Sequence, residues 1–159
     1  MENCCGNTKK CKGSDRVRIL ISGCLLGVCC RYDGASKPHP MAEELSKKHE
    51  LVPVCPEQLG GLATPRPPAE RQGGRIIAKN GADVTQQYCR GAEETLKLCR
   101  LLGCEAAVLK ERSPSCGCGE IYDGTFTGTL VAGNGVTAEF LLEHGIPVYG
   151  ESRISELLR

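Results

Sequence analysis

Short apolar runs alternate along the chain with amphipathic segments, and this alternation predicts the secondary structure. Residues 17–22 form an apolar, β-branched run that is typical of a buried strand. Pro53 lies inside a similar run and weakens that prediction, because proline cannot donate a hydrogen bond within a sheet. The predicted strands cover residues 17–22, 51–54, 106–109 and 147–149, with a short edge strand at 75–78.

Between the strands, apolar side chains recur every three or four residues, which is the spacing of a helix. The clearest such segment covers residues 84–102 and stops before Gly103, a residue type that often caps a helix end. Other predicted helices cover residues 41–48, 137–143 and 154–158, and predicted loops cover residues 66–74, 113–117 and 133–135. Strands that alternate with helices predict an α/β fold with a mainly parallel sheet and flanking helices, in a Rossmann-like, three-layer arrangement.

The length and the beginning of the chain fit one such domain. We predict a flexible, cysteine-containing tail at residues 1–15 and a single α/β domain at residues 16–159. No run of about 18 apolar residues is present, so no transmembrane helix is expected. Residues 1–16 lack the apolar core of a secretory signal, which favours a cytoplasmic protein. No pattern in the sequence indicates an oligomeric state.

Charge and cysteine content narrow the function classes. The net charge is only +1, which argues against tight binding of a polyanionic RNA or of a membrane surface. The 12 cysteines are the outstanding feature. Without an export signal, reduced thiols and metal ligation are expected rather than disulfides. The alternative for any one cysteine is a small buried side chain, because free cysteine is among the most buried residue types.

Three cysteines share one position relative to the predicted strands. Cys24 follows the first strand, Cys55 ends the second, and Cys116 lies in the loop after the third. Ligand sites of open α/β sheets lie beyond the carboxyl ends of the strands, so these three thiols can converge in space. The alternative is that all three are buried thiols at strand ends.

The number of converging thiols is itself informative. Structural zinc sites and electron-transfer clusters normally have four protein ligands, whereas catalytic metal sites often have three and leave one position open. Thiolates select zinc or iron–sulfur clusters over hard cations. Cys118, two residues after Cys116, is a possible supplementary or replacement ligand.

Two polar residues lie next to these cysteines in the sequence. Glu57 is two residues past Cys55, and its carboxylate can position or deprotonate a water beside a metal. Ser113 precedes Cys116 by three residues, and its hydroxyl can move a proton. The alternatives are a helix-capping carboxylate and an ordinary turn serine. Four further charged residues are candidates for hydrogen bonds to a polar heterocycle or for plain surface charges: Arg31, Asp33, Arg66 and Arg112.

Several motifs in the same order resemble the TudS-like thiouracil desulfidase family, which was formerly known only as a domain of unknown function. These motifs are residues 22–27 (SGCLLG), 31–34 (RYDG), 55–62 (CPEQLGGL), 64–66 (TPR), 81–85 (GADVT), 110–117 (KERSPSCG) and 128–139 (GTLVAGNGVTAE). The resemblance covers nearly the whole chain after the predicted tail.

The resemblance implies a [4Fe-4S] cluster held by Cys24, Cys55 and Cys116, with catalytic roles for Glu57 and Ser113. We hypothesise a non-redox desulfuration, in which the open iron of the cluster binds the substrate sulfur as a Lewis acid. Glu57 activates a water, Ser113 assists a proton transfer to the ring nitrogen or positions the substrate, and the sulfur leaves as hydrogen sulfide. The implied substrate is a small thiolated pyrimidine, such as a thiouracil-type base or nucleoside.

Two other classes of protein fit parts of the sequence. One is a zinc or iron–sulfur binding module without turnover, which full metal occupancy without sulfide release would reveal. The other is a thiol redox or sulfur-carrier protein that uses a close pair such as Cys29 and Cys30. The activity of such a protein would follow its disulfide state and would need no cluster.

Overall fold

A computed structural model describes residues 16–159, and its centre is a four-stranded sheet in which all strands are parallel. The four strands are β1 (Arg18–Ser22), β2 (Glu50–Val54), β5 (Cys104–Leu109) and β8 (Val148–Gly150). Their order in the sheet is β2-β1-β5-β8. This arrangement confirms the predicted α/β fold with its mainly parallel sheet.

Helices cover both faces of the sheet. They are α1 (Pro40–Lys48), α2 (Pro56–Leu59), α3 (Thr85–Leu101) and α4 (Val136–Glu143), together with 3-10 helices at Gly23–Leu26 and Glu151–Leu158. Leu20 and Leu109 pack towards Leu96 of α3 and Leu141 of α4. The neighbouring strand residues Ile19, Ile21 and Val108 pack towards the other layer, which α1 and the last 3-10 helix form. Leu45 of α1 and Ile154 of that 3-10 helix belong to the same cluster. Because both faces of the sheet are buried, its strands form continuous apolar runs.

The strand with Pro53 lies where proline does least harm. β2 is an edge strand of the sheet and pairs only with β1, with Pro53 opposite Ile21. An edge strand has one side without ladder hydrogen bonds, so the missing N–H of proline is tolerated there.

Two antiparallel hairpins accompany the main sheet and depart from the predictions. β3 (Ala69–Gln72) pairs with β4 (Arg75–Ala78), so the predicted loop at residues 66–74 is partly wrong. β3 is mostly polar and is held by pairing rather than by an apolar pattern. The second hairpin, β6 (Glu120–Tyr122) and β7 (Leu130–Ala132), has strands of three residues and was not predicted.

The structure describes only one of the two parts of the predicted domain scheme. The tail predicted at residues 1–15 lies outside the described residues. Over residues 16–159, every helix is too short or too polar to span a membrane.

Candidate active site

The three predicted ligand cysteines line one cavity at the carboxyl edge of the sheet. Cys24 lies in the 3-10 helix that follows β1, Cys55 directly follows β2, and Cys116 lies in the loop after β5. All three contribute to the wall of a cavity of about 570 Å³, together with Glu57 and Ser113. A cavity of this volume accommodates a small ligand together with a cofactor. Residues distant in the sequence therefore meet where parallel strands end.

The loop that carries Cys116 is fixed by hydrogen bonds around Ser113. The Ser113 hydroxyl oxygen accepts from the backbone N–H groups of Ser115 at 3.1 Å and of Cys116 at 3.0 Å. The hydroxyl groups of Ser115 and Thr137 form a buried hydrogen bond with 2.9 Å between the two oxygens, and this bond ties the loop to the start of α4. Gly135 allows this close approach, because a Cβ there would lie 2.4 Å from the carbonyl carbon of Ser115. The position of the Cys116 sulfur is therefore determined by its own loop.

Burial makes the thiols of this cavity hard to ionise. It raises the pKa of Cys24, against the opposing charge of Lys110. It also raises the pKa of Cys116 to about 12, and the neighbouring Glu57 and cysteine sulfurs add to the effect, against the hydroxyl of Ser22. Several thiolates at one place repel each other and lack water. A bound cationic group is therefore needed to keep these sulfurs deprotonated together.

A fourth thiol, Cys30, lies in the same cavity wall. Its pKa is raised to about 12 by burial and by the nearby sulfurs of Cys55 and Cys24. The Cys55 thiol lies 3.6 Å from the carbonyl oxygen of Cys30, within reach to donate to it. Cys29, its neighbour in the sequence, is exposed and does not line the cavity. The structure thus separates a pair that the sequence offered as one unit.

The cysteines surround a space and do not converge on a point. Within residues 16–159, no three His, Cys, Asp or Glu side chains are close enough together to hold a single metal ion. Ligands of an iron–sulfur cluster bind different iron atoms, so they stand further apart than the ligands of one zinc ion. The arrangement argues against a mononuclear zinc site and is compatible with a cluster.

The carboxylate of Glu57 is held by a buried ion pair. The Nε and Nη2 atoms of Arg66 lie 2.6 and 2.5 Å from its Oε2 atom, and the two side chains are 7% and 12% exposed for Arg66 and Glu57. Arg66 also donates to the carbonyl oxygen of Cys30 at 2.9 Å. Burial lowers the pKa of Arg66, but the charge of Glu57 outweighs it and the net shift is upward. Arg66 therefore holds the Glu57 carboxylate in place, and its charge is already paired within the protein.

Tyr88 is a second neighbour of Glu57, and close helix packing brings it there. A Cβ on Gly91 of α3 would lie 2.0 Å from the carbonyl oxygen of Pro56, and one on Gly60 would lie 1.9 Å from that of Gln87. Only glycine permits this approach of α2 to α3. Burial and the negative charge of Glu57 raise the pKa of Tyr88, so its hydroxyl stays neutral beside the carboxylate.

The other candidates from the sequence fall into three groups. Arg31 and Arg112 line the cavity, as does Arg66. Asp33 does not line it; its Oδ2 atom lies 3.8 Å from Arg31, and its Oδ1 accepts from the Ala35 N–H at 3.0 Å. The Cys118 thiol lies 3.8 Å from the Val148 carbonyl oxygen and is absent from the cavity wall, so it does not compete with Cys116.

Tyr88 and Cys30 are cavity residues that the sequence analysis missed. Tyr88 lies in the predicted helix at residues 84–102, where its ring fits the apolar spacing of the helix. A tyrosine hydroxyl on an apolar helix face is the available signal, because a buried hydroxyl needs a partner. Cys30 enters the sequence analysis only as half of the close pair with Cys29, and nothing in the sequence places it near Cys55.

Comparisons with known proteins identify the family and a solved relative. A family model described as 2-thiouracil desulfurase matches residues 19–153. A curated relative from Bacillus subtilis (strain 168), "Uncharacterized protein YbbK", is 41% identical over 150 residues, which covers 88% of this chain and 99% of the relative. A solved structure of a [4Fe-4S]-dependent thiouracil desulfidase, TudS, matches with a TM-score of 0.85 and 47% identity, covering 89% of this chain and 95% of that one. The matched residues include the whole cysteine-lined cavity.

Proposed function

The chain belongs to the 2-thiouracil desulfurase family, and from that premise we propose that it removes sulfur from a thiolated pyrimidine base or nucleoside with the help of a [4Fe-4S] cluster. The observation that carries the proposal is the meeting of Cys24, Cys55 and Cys116 in one cavity from three different strand ends. The related solved protein, 47% identical, is described as [4Fe-4S]-dependent.

The donor set of the cavity fits such a cluster. Cys24, Cys55 and Cys116 would hold it, because soft thiolates select iron–sulfur clusters and these three sulfurs surround a space. When bound through three protein ligands, a cluster supplies a Lewis-acidic iron with affinity for sulfur. Burial raises the pKa of Cys24 and Cys116, so both thiols would ionise only with a cationic partner, which a cluster would supply.

Glu57 is the general base in this proposal. Its carboxylate faces the cavity and is fixed by Arg66 at 2.6 Å, with the neutral hydroxyl of Tyr88 nearby. A carboxylate held in this way can accept a proton from a water as the water oxygen attacks the thiocarbonyl carbon. Pre-organisation by two buried neighbours reduces the loss of entropy when the water is positioned.

Ser113 is the proton donor in the same step. Its oxygen already accepts two backbone hydrogen bonds, so its own O–H proton is available to a group in the cavity. We propose that it donates to the ring nitrogen beside the reacting carbon. Water adds to that carbon, the C–S bond breaks, and the products are the oxo-pyrimidine and hydrogen sulfide. No electron is gained or lost overall.

Anaerobic turnover tests the proposal. The protein is reconstituted with iron and sulfide and incubated with 2-thiouracil, and uracil and free sulfide are measured by chromatography and by a colorimetric assay. We expect equal amounts of both products, and none from protein treated with a chelator. Full iron and sulfide occupancy without sulfide release from any thiolated pyrimidine would indicate a non-catalytic cluster-binding module instead.

A further inference from the structure

The loop between β6 and β7, residues 123–129, contributes one aromatic ring to the cavity. Phe126 lines the cavity wall and is half-buried. Its side chain belongs to none of the three hydrophobic clusters formed by the described residues. A large apolar ring that faces a cavity without joining a core is not explained by folding alone.

The backbone at Phe126 is unfavourable for a residue with a side chain. Its φ angle is 57°, in the left-handed region that glycine adopts readily and aromatic residues rarely do. Strained conformations of this kind persist where the surroundings hold them, and they cluster at functional sites. The chain thus keeps phenylalanine at a position where glycine would fit more easily.

A buried carboxylate holds this turn. The Oε1 atom of Glu70 accepts hydrogen bonds from the backbone N–H groups of Gly124 at 3.1 Å and Phe126 at 3.2 Å. Glu70 is only 7% exposed, lies on β3, and lines the same cavity. Among the described residues, no cation lies within ion-pair distance of it, and its Oε2 atom accepts no hydrogen bond. No fully buried side-chain oxygen in this part of the chain lacks a partner, so Oε2 is not sealed inside the protein and can accept a hydrogen bond from a ligand N–H in the cavity.

Hydroxyl groups on the other side of the loop stiffen it. Three exposed threonines form a chain, with oxygen separations of 2.6 Å between Thr125 and Thr127 and 3.0 Å between Thr127 and Thr129. Asp123 accepts from the N–H of Thr125 at 3.0 Å. The loop is therefore braced by Glu70 from within and by its own hydroxyls from outside, with Phe126 between them.

We propose that Phe126 and Glu70 select the substrate: the ring of Phe126 packs against the face of a planar heterocycle, and Glu70 accepts a hydrogen bond from a ring N–H. This inference rests on the proposed function and specifies the substrate class as a cyclic thioamide with a free N–H. Stacking against an aromatic ring recognises a flat, aromatic ligand of any substitution, whereas the carboxylate rejects a ring that is alkylated at that nitrogen.

Phe126→Gly tests the stacking half with a variant that relieves the backbone. We expect the dissociation constant of uracil, measured by equilibrium dialysis with the cluster-loaded protein, and the KM for 2-thiouracil to rise about 10-fold or more. Iron content and melting temperature stay close to those of the unchanged protein, because glycine accepts the left-handed φ angle. Val131→Ala, at an exposed position of β7 just after the loop, is the control and leaves both constants unchanged. Unchanged binding in Phe126→Gly, or a lower melting temperature alone, would overturn the stacking role.

Glu70→Gln tests the hydrogen bond, because the amide oxygen can still accept from the turn. We compare 2-thiouracil with its 1-methyl and 3-methyl derivatives. One methyl position should weaken binding about 10-fold in the unchanged protein, and Glu70→Gln should reduce that discrimination. Equal discrimination in both proteins would overturn the role of Glu70.

The two proposals can fail separately. Uracil binding that depends on Phe126, without any sulfide release by the unchanged protein, would reject the desulfuration and keep the recognition site. Sulfide release by the unchanged protein, with binding and KM unaffected in both variants, would reject only the recognition site.

Discussion

Two groups of buried cysteines occupy opposite ends of the central sheet. Cys116 lies at the carboxyl edge and Cys104 begins β5 at the amino edge, and they are 6% and 7% exposed. Burial raises the pKa of both thiols, to about 12 for Cys116 and about 11 for Cys104. By exposure and acidity alone, the two sites are nearly the same.

Their surroundings differ. The thiol of Cys99 lies 3.6 Å from the carbonyl oxygen of Cys104, and both side chains pack in the apolar cluster between the sheet and α3. Cys116 belongs to the same cluster, but unlike the other two it also lines a cavity, which it shares with Cys24, Cys55 and Glu57. Burial and a raised pKa therefore do not distinguish the proposed cluster ligands from core thiols. What distinguishes the proposed ligands is that several thiols share one polar cavity.

The largest difference between the two groups should appear on substitution by alanine. Cys24→Ala removes a proposed cluster ligand, so we expect loss of bound iron, of the visible absorption and of sulfide release. Cys99→Ala, the matched control, removes a similar buried sulfur from the apolar cluster and should keep all three, at a cost of about 1 kcal/mol in the free energy of unfolding. Iron and sulfide analysis after anaerobic reconstitution, with a melting curve, measures both. Iron retained in full by Cys24→Ala would remove the distinction between the two regions.

Glu57→Gln should have the next largest effect. We expect kcat to fall by about 10²–10⁴-fold with iron content retained, because the amide cannot accept a proton from water. The buried Arg66 also loses its counter-charge, which lowers stability. Glu57→Asp keeps that charge but displaces the carboxylate, so it should lower kcat with a smaller change in melting temperature. Glu93→Gln, on the exposed face of α3, is the control. Activity retained in both Glu57 variants would assign the base to another residue.

Gly91→Ala tests whether helix packing places the catalytic groups. The added Cβ would overlap the carbonyl oxygen of Pro56, so α2 must move away from α3. We expect a loss of about 1–3 kcal/mol in the free energy of unfolding and a lower kcat. Gly74→Ala, where a Cβ meets nothing within 4 Å, should change neither quantity. Thermal unfolding and steady-state kinetics provide the data, and equal behaviour of the two variants would contradict the packing argument.

Tyr88→Phe should have the smallest effect. It removes the neutral hydroxyl beside Glu57, an effect of about 1 kcal/mol, so kcat should fall several-fold while KM and iron content stay unchanged. Tyr149→Phe, on the other layer of the molecule, serves as the control. A change in KM without a change in kcat would instead make Tyr88 a ligand-contacting residue.

Sequence patterns could predict the cysteine-lined cavity because each of its three cysteines comes after a strand, and apolar runs predict the strands. Cys24, Cys55 and Cys116 required only the rule that parallel strands end at the same edge. The neighbours of Glu57 could not be predicted in this way. Tyr88 meets Glu57 only because glycines let two helices approach, and that contact depends on the fold as a whole.

The substrate-facing loop was missed for a related reason. β3, which carries Glu70, is polar along most of its length, and β6 and β7 have three residues each. Strands like these are stabilised by pairing and by contacts with a neighbouring element, which leave no periodic pattern in the sequence. Their residues were therefore assigned to loops or left out.

The central claim is that three thiolates from the carboxyl edge hold a cluster in which one iron has no protein ligand. Mössbauer spectroscopy of protein reconstituted with ⁵⁷Fe, before and after addition of 2-thiouracil, tests it most directly. We predict one iron site distinct from the other three, whose parameters alone change when the substrate is added. Four equivalent irons would contradict the claim. That result would mean that a fourth protein ligand binds the remaining iron, and the Cys30 thiol in the same cavity wall is the candidate.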